Sequence, residues 1–143
     1  SYCKLMEKYG LLEELCFIDC PLEVEPTIRA WKDFLHSGRD LPSAVICGNE
    51  DSAIGTIQCL TQEGYSVPKD ISVVSFNDTP RSALLTPPLT SVSVNEAEMA
   101  NTALRLVSER AILPEKEPIR TIPLKVVVPL SLVVRESSLI ANK

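Results

Sequence analysis

Histidine is nearly missing from this chain: His36 stands alone among 143 residues, and aromatic residues make up only 5% of it. With one histidine no Ser/His/Asp arrangement can be assembled, and Cys47 falls inside an apolar run. Nucleophilic catalysis is therefore not expected, and the chain reads as a non-enzyme. Glycine is scarce as well, and Gly48 and Gly55 do not make a phosphate-cradling loop. Positive charge is the minority sign, with 14 Lys and Arg against 19 Asp and Glu and a formal net charge of −5. Gripping a phosphate backbone needs clustered Lys and Arg, so this polypeptide is not expected to hold DNA by itself. No stretch approaches the roughly 20 apolar residues of a membrane span, so no membrane partner is expected. The opening SYCKLMEKYG has no basic region followed by an apolar one, so no signal peptide is visible. The 5 cysteines (Cys3, Cys16, Cys20, Cys47 and Cys59) are an odd count, and some lie in apolar runs. That pattern suits reduced thiols in a cytoplasmic protein better than a disulfide framework. Cys16 and Cys20 have a ligand-like spacing, but no second pair exists to complete a structural zinc site. Neither a metal nor a cofactor is expected.

What is present is an alternation. The length suits one domain that buries roughly 70% of its unfolded surface. Residues 1–10 read as a helix with Leu5, Met6 and Tyr9 on one face and Gly10 at its end. Leu15–Ile18 reads as a short strand. Pro26 fits the first turn of a second helix, which places Ile28, Trp31, Phe34 and Leu35 on one stripe before Gly38 ends it. Ala44–Cys47 is the next strand. Asn49 then opens a helix through Glu63 that buries Ala53, Ile54, Ile57 and Leu60, with Gly64 as the stop. Ile71–Ser75 is a β-branched run and reads as a buried strand. Helices between short β-branched runs imply right-handed βαβ units, a parallel sheet and an α/β fold with helices on both faces.

After Pro88 the character changes. Leu89–Val94 is extended, and Asn95 with Glu98 reads as a capping box opening a further helix. Met99, Ala103, Leu106 and Val107 form its apolar face, and Pro114 and Pro118 end it. Leu124–Val128 and Leu130–Val134 read as strands. Ser137–Lys143 carries little pattern and is expected to fray.

Two motifs carry the functional reading: VPKDISVVSFNDT at Val67–Thr79 and PPLTSV at Pro87–Val92. Polar groups collected just past the carboxyl end of a buried strand sit where open α/β sheets place their ligands. In this order and at this separation the motifs resemble the "VPxDxSVVGFDDT" and "PPLTTV" stretches of the lactose-repressor/galactose-repressor family of bacterial transcription regulators. Further fragments agree: Pro42-Ser43-Ala44-Val45 with "PTAV", Asn49-Glu50 with "ND", Ala53-Ile54-Gly55 with "ALG", and Gly64–Pro68 with "GLRVP". Leu130–Ser137, LSLVVRES, is similar to the family's "LVVRES". The likeness runs from the first residues to about Ser138.

The resemblance implies the effector-binding domain, of the periplasmic-binding-protein-like type I fold, with two α/β lobes hinged around a sugar or nucleobase-sized ligand. Residues 1–88 would belong to its C-terminal lobe, and residues 89–129 would cross to supply a helix and strand to the N-terminal lobe. Residues 130–138 would return, leaving 139–143 as a tail. On this reading the chain is a fragment, and operator DNA is met only through an N-terminal headpiece missing from it. The apolar face around Met99, Leu106 and Val107 then lacks the sheet it should cover and invites self-association.

The same resemblance nominates site residues. Asn49 corresponds to a residue whose amide bonds effector hydroxyls, although for this residue alone a plain N-cap is the slightly better explanation. Asn77 stands where the family usually has the first Asp of "FDD". An amide can accept one hydrogen bond and donate another, so a neutral or anionic effector fits better than a polyol read by a carboxylate. An Asx turn explains Asn77 without a ligand. Cys20, after Asp19, falls near the place of an aromatic ring that stacks on the sugar, so the stacking surface is absent here. Trp31 and Phe34 are core residues by their spacing. Asp78 is expected to stabilise the turn with Thr79. Glu50 and Asp51 read as first-turn carboxylates favoured by the helix dipole. Ile54, Leu84 and Leu85 correspond to surfaces where the family dimerises. The leading function is small-molecule effector binding and homodimerisation in a transcription regulator. The runner-up is a periplasmic-type sugar-binding protein of a transport system. A flavodoxin-like enzyme or receiver would need an acidic metal pocket or Gly-rich loop that the sequence lacks.

Overall fold

The computed structural model describes residues 2–111 and 124–138. Helix α1 (Tyr2–Lys8) is followed by a 3-10 turn at Leu12–Glu14, helix α2 (Val24–His36), strand β1 (Ala44–Ile46) and helix α3 (Glu50–Gln62). Strand β2 (Ser72–Asn77), a 3-10 turn at Pro80–Leu84, strand β3 (Thr90–Ser93), helix α4 (Glu96–Ala111) and strand β4 (Ser131–Val133) complete the order. The sheet runs β1-β2-β3-β4. β1, β2 and β3 are parallel, and β4 pairs antiparallel with β3. The β1–α3–β2 passage is the parallel crossover expected from alternating apolar runs.

The core lies between the sheet and the α2/α3 pair. Trp31 and Phe34 meet edge to face with centroids 5.5 Å apart, and they cluster with Ala53, Ile57, Leu60, Ile71 and Val73. The indole Nε1 of Trp31 donates to Thr56 Oγ1 at 2.8 Å, so the polar edge of the ring is satisfied within the core. Gly55 lets the two helices meet: a Cβ there would stand 2.6 Å from the carbonyl oxygen of Val24 and 2.9 Å from Thr27 Cβ. Any side chain at this position would push α2 away. Gly38 and Gly64, at φ +75° and +86°, end α2 and α3 as anticipated.

Alternation along β2 sorts its faces. Ile71, Val73 and Ser75 are buried on the α3 side, whereas Phe76 is exposed on the other, beside Val92 of β3 and not far from Ile46 of β1.

Several expectations need correction. Leu15–Ile18 forms no strand, although Cys16 and Ile18 still pack on the core. An apolar run of this length extends readily but becomes a strand only when a neighbouring edge pairs with it. Leu124–Val128 likewise has no ladder partner among the described residues. Helix α1 buries none of its residues, and both Leu5 within it and Tyr9 just past its end are exposed. Asn95 does not close a capping box with Glu98. Its backbone is left-handed at φ 52°, and its amide donates to the Pro129 carbonyl at 2.5 Å, a partner from the returning chain. The apolar stripe of α4 is largely open, with Met99 and Val107 exposed. Pro114 and Pro118 lie outside the described residues, as do residues 139–143.

Ser137 was expected to fray and instead is fully buried. Its hydroxyl donates to the Val73 carbonyl at 2.6 Å and accepts from Thr90 N at 2.8 Å. Its own amide bonds the Pro88 carbonyl, and its carbonyl takes the amide of Val73. The residue thus fills the slot beside β2 just below the start of β3. A small hydroxyl side chain suits the slot because it can donate to one of these backbone groups and accept from the other.

Candidate functional site

The carboxyl ends of β1 and β2 carry the segments nominated from sequence. After β1 the chain reaches Asn49 in extended conformation, and its side-chain oxygen accepts from Ser52 N at 2.9 Å. Ser52 Oγ in turn accepts from Asn49 N, completing a capping box for α3. The amide nitrogen of Asn49 donates to the Leu22 carbonyl at 2.9 Å. Both ends of this carboxamide are committed inside the protein.

Asn77 is different. It closes β2 with φ +91°, and Asp78 follows at φ +53°, so the chain leaves the strand through two successive left-handed residues. Asparagine and aspartate tolerate that region better than other side-chain-bearing residues. The Asn77 side chain is exposed, and among the described residues nothing hydrogen-bonds it. Asp78 N donates to Ser91 Oγ at 3.1 Å. Its carboxylate pairs with Arg135 Nη1 at 2.6 Å, and the same nitrogen reaches the Leu89 carbonyl at 2.7 Å. Asp78 therefore does hold the turn, but through Arg135 and not with Thr79 as expected.

Thr79 is turned toward α3. Its hydroxyl donates to Glu50 Oε2 at 2.5 Å, while the Ser82 hydroxyl donates to Glu50 Oε1. Glu50 is 5% exposed. Its place in the first turn of α3 was legible, whereas its hydroxyl partners, some thirty residues further along the chain, were not. Asp51 makes a solvent-exposed ion pair with Arg81 at 3.1 Å, a contact that contributes little.

Asp19 is exposed, and Cys20 is half-buried with its sulfur 3.6 Å from Thr27 Oγ1. Trp31 and Phe34 sit in the core as their spacing implied. Leu84 is 81% exposed at the end of its 3-10 turn, Leu85 is half-buried against the core, and Ile54 is only 8% exposed. A separate apolar groove of about 420 Å³ runs between α4 and residues 124–128, lined by Met99, Leu106, Leu124 and Val126 among others.

Burial pushes the Cys47 thiol from 9.0 up to about 11, with a smaller upward push from Cys20 and a downward one from its bond to Thr56. Burial also raises the Cys59 thiol. The inert form of Cys47 is thereby favoured. Iodoacetamide at pH 8 is expected to modify exposed Cys3 and to spare Cys47 until the chain unfolds; mass spectrometry of the labelled protein checks this. The unfolded thiol ionises near pH 9 while the folded one stays neutral. Stability is thus complete below pH 9 and falls as pH rises toward 11, by on the order of 2–3 kcal/mol from this group.

The periplasmic binding protein-like domain family matches residues 2–138. The chain is 34% identical over 121 residues to the HTH-type transcriptional regulator GalR of Streptococcus thermophilus, a match over 85% of this chain and 36% of that protein. It is 36% identical over 128 residues to the HTH-type transcriptional repressor PurR of Glaesserella parasuis, over 88% of this chain and 37% of that one. Among solved structures, a putative LacI-family regulator from Sanguibacter keddieii superposes with a TM-score of 0.82 at 25% identity, over 95% of this chain and 51% of the other. A LacI-family regulator from Enterococcus faecium with bound ribose shares the fold, with a TM-score of 0.81 at 20% identity over 96% and 48%. The chain thus spans just over a third of the length of these curated relatives and about half of these solved chains. The latch of Arg135 and Ser137 joins the second motif to the first, and with these likenesses it leads to one conclusion: the chain belongs to the periplasmic binding protein-like domain family, among the lactose-repressor/galactose-repressor type of transcription regulators.

Proposed function

We propose that this chain forms one wall of a small-molecule effector site, for a sugar or similar ligand, and contributes to a homodimer in a bacterial transcription regulator. The observation that carries the reading is Asn77: an unbonded, exposed carboxamide held on a left-handed turn at the carboxyl end of a parallel strand. It can donate one hydrogen bond and accept another, which suits hydroxyls on a neutral ligand. Asn49 contributes by shaping α3 rather than by offering its amide, since both its ends are bonded. Cys20 and Asp19 remain candidates for the wall by position only. The E. faecium regulator holds ribose, which supports a sugar-sized effector. The curated relatives named above are transcription regulators, which favours regulation over transport.

For the proposed lobe division at residues 88 and 129, the sheet supports a later departure than residue 88, since β3 still pairs in parallel with β2 and the chain leaves the sheet only after Ser93. β3 leaves toward α4, and β4 returns antiparallel beside it before residues 135–137 lock under Leu89 and Thr90. Leu84 is the candidate anchor of the dimer, given its exposure. Operator DNA would be read by a helix-turn-helix part of the regulator, because a chain with a formal charge of −5 is unsuited to a phosphate backbone.

Calorimetry with D-ribose and D-galactose tests the one-wall reading. The chain alone is expected to saturate only in the millimolar range, and Asn77→Ala to abolish that heat. A micromolar signal, or one indifferent to Asn77, overturns the proposal.

A further inference from the structure

The Glu50 carboxylate is buried, yet among the described residues no Lys or Arg pairs with it. Burying a charge is costly unless its lone pairs are well used. Here the start of α3 offers the favourable end of the helix dipole, and two hydroxyls supply one bond to each carboxylate oxygen. Both hydroxyls come from one short segment. Thr79 caps the 3-10 turn by accepting from Arg81 N, and Ser82 lies within it. Ser82 N donates to the Thr79 carbonyl at 3.0 Å, and the Ser82 carbonyl accepts from Leu89 N at 2.8 Å. Upstream of this clamp by two residues is Asn77, and downstream by two is exposed Leu84.

We infer that Glu50 is a positioning residue for the effector wall: it bolts the Asn77–Leu84 segment to α3 so that the ligand-facing carboxamide and the exposed leucine move as one body. The inference rests on the effector reading for the meaning of Asn77, but the clamp itself is independent of any ligand. A ligand that draws on Asn77 displaces Leu84 with it, which gives the wall a mechanical route to the surface proposed for dimerisation.

Native-state hydrogen exchange on the ligand-free chain tests this, comparing Glu50→Ala, Glu50→Gln and Ser82→Ala with the parent. Glu50→Ala is expected to speed exchange at the Ser82 and Leu89 amides about tenfold while leaving Ile57 and Leu60 in α3 unchanged. Glu50→Gln is expected to restore protection, because its amide can accept from one hydroxyl and donate to the other. Ser82→Ala should loosen the same turn without disturbing the carboxylate's burial, so the test survives a poorly folding Glu50→Ala. Unchanged exchange in the alanine variants, no rescue by glutamine, or acceleration spread evenly over α2, α3 and β2 overturns the inference. Because no ligand is added, failure here is distinct from a failed calorimetric titration.

Discussion

Replacing Trp31 by alanine is expected to lower the unfolding free energy by about 3–5 kcal/mol, the range for truncating a large buried aromatic. The ring is 2% exposed, packs edge to face on Phe34 and bridges α2 to α3 through Thr56. Small domains have a total stability of only about 5–15 kcal/mol, so this change alone brings the chain close to unfolding. Trp31→Phe keeps most of the packing and loses the indole donor, so a loss of about 1 kcal/mol is expected. Thr56 retains its own bond to the Ser52 carbonyl, which limits the damage. Urea midpoints at constant slope measure both changes. Equal losses in the two variants would contradict a core organised around the ring.

Arg135→Ala has the second largest expected effect, on the order of 3 kcal/mol, because it strands the Asp78 carboxylate with 12% exposure of its side chain. Arg135 side-chain exposure of 21% places the loss at the lower end of what breaking a buried pair costs. The Leu89 carbonyl loses a donor in the same step. Combining Arg135→Ala with Asp78→Asn should cost less than the sum of the two, since removing the charge removes its need for a partner. The double-mutant cycle in urea measures that coupling. Strict additivity would mean that the guanidinium and carboxylate are neighbours without being partners.

The elements that were legible in sequence are those whose signals are local and repeated. Trp31 and Phe34 sit at helical spacing, Ile71 and Val73 alternate along an extended run, and Gly64 follows the last turn of α3. Each states its own burial within a few residues. Asn49 belongs to this group too: its role as an N-cap is fixed by Ser52 at the third position of α3. The features that escaped are settled by partners far along the chain. Leu15–Ile18 has the composition of a strand but lacks a ladder partner among the described residues. Asn95 has the local pattern of a capping box, and a carbonyl at Pro129 takes its amide instead. Ser137 sits among small polar residues that look like a frayed end, yet its hydroxyl bonds the Val73 carbonyl and the Thr90 amide.

At the candidate site the same division holds. The family motif pointed to Asn77, and its exposure on a left-handed turn is consistent with the position that the motif gave it. What the motif did not disclose is how the turn is held. Arg135 grips Asp78 from the returning strand, and Glu50 grips Thr79 and Ser82 from α3. The two motifs that carry the family likeness are thus bridged by Arg135, which bonds Asp78 in the first and the Leu89 carbonyl in the second, a relation invisible in their spacing.

An effector wall at the end of β2 is tested most directly by amide chemical-shift mapping in NMR, with D-ribose and D-galactose titrated into the chain up to high millimolar concentration. The expected shifts cluster at Asn77 and Asp78 with smaller ones at Gly48 and Asn49, saturate in the millimolar range and disappear in Asn77→Ala. Shifts confined to the groove between α4 and residues 124–128, or none with either sugar, would contradict it.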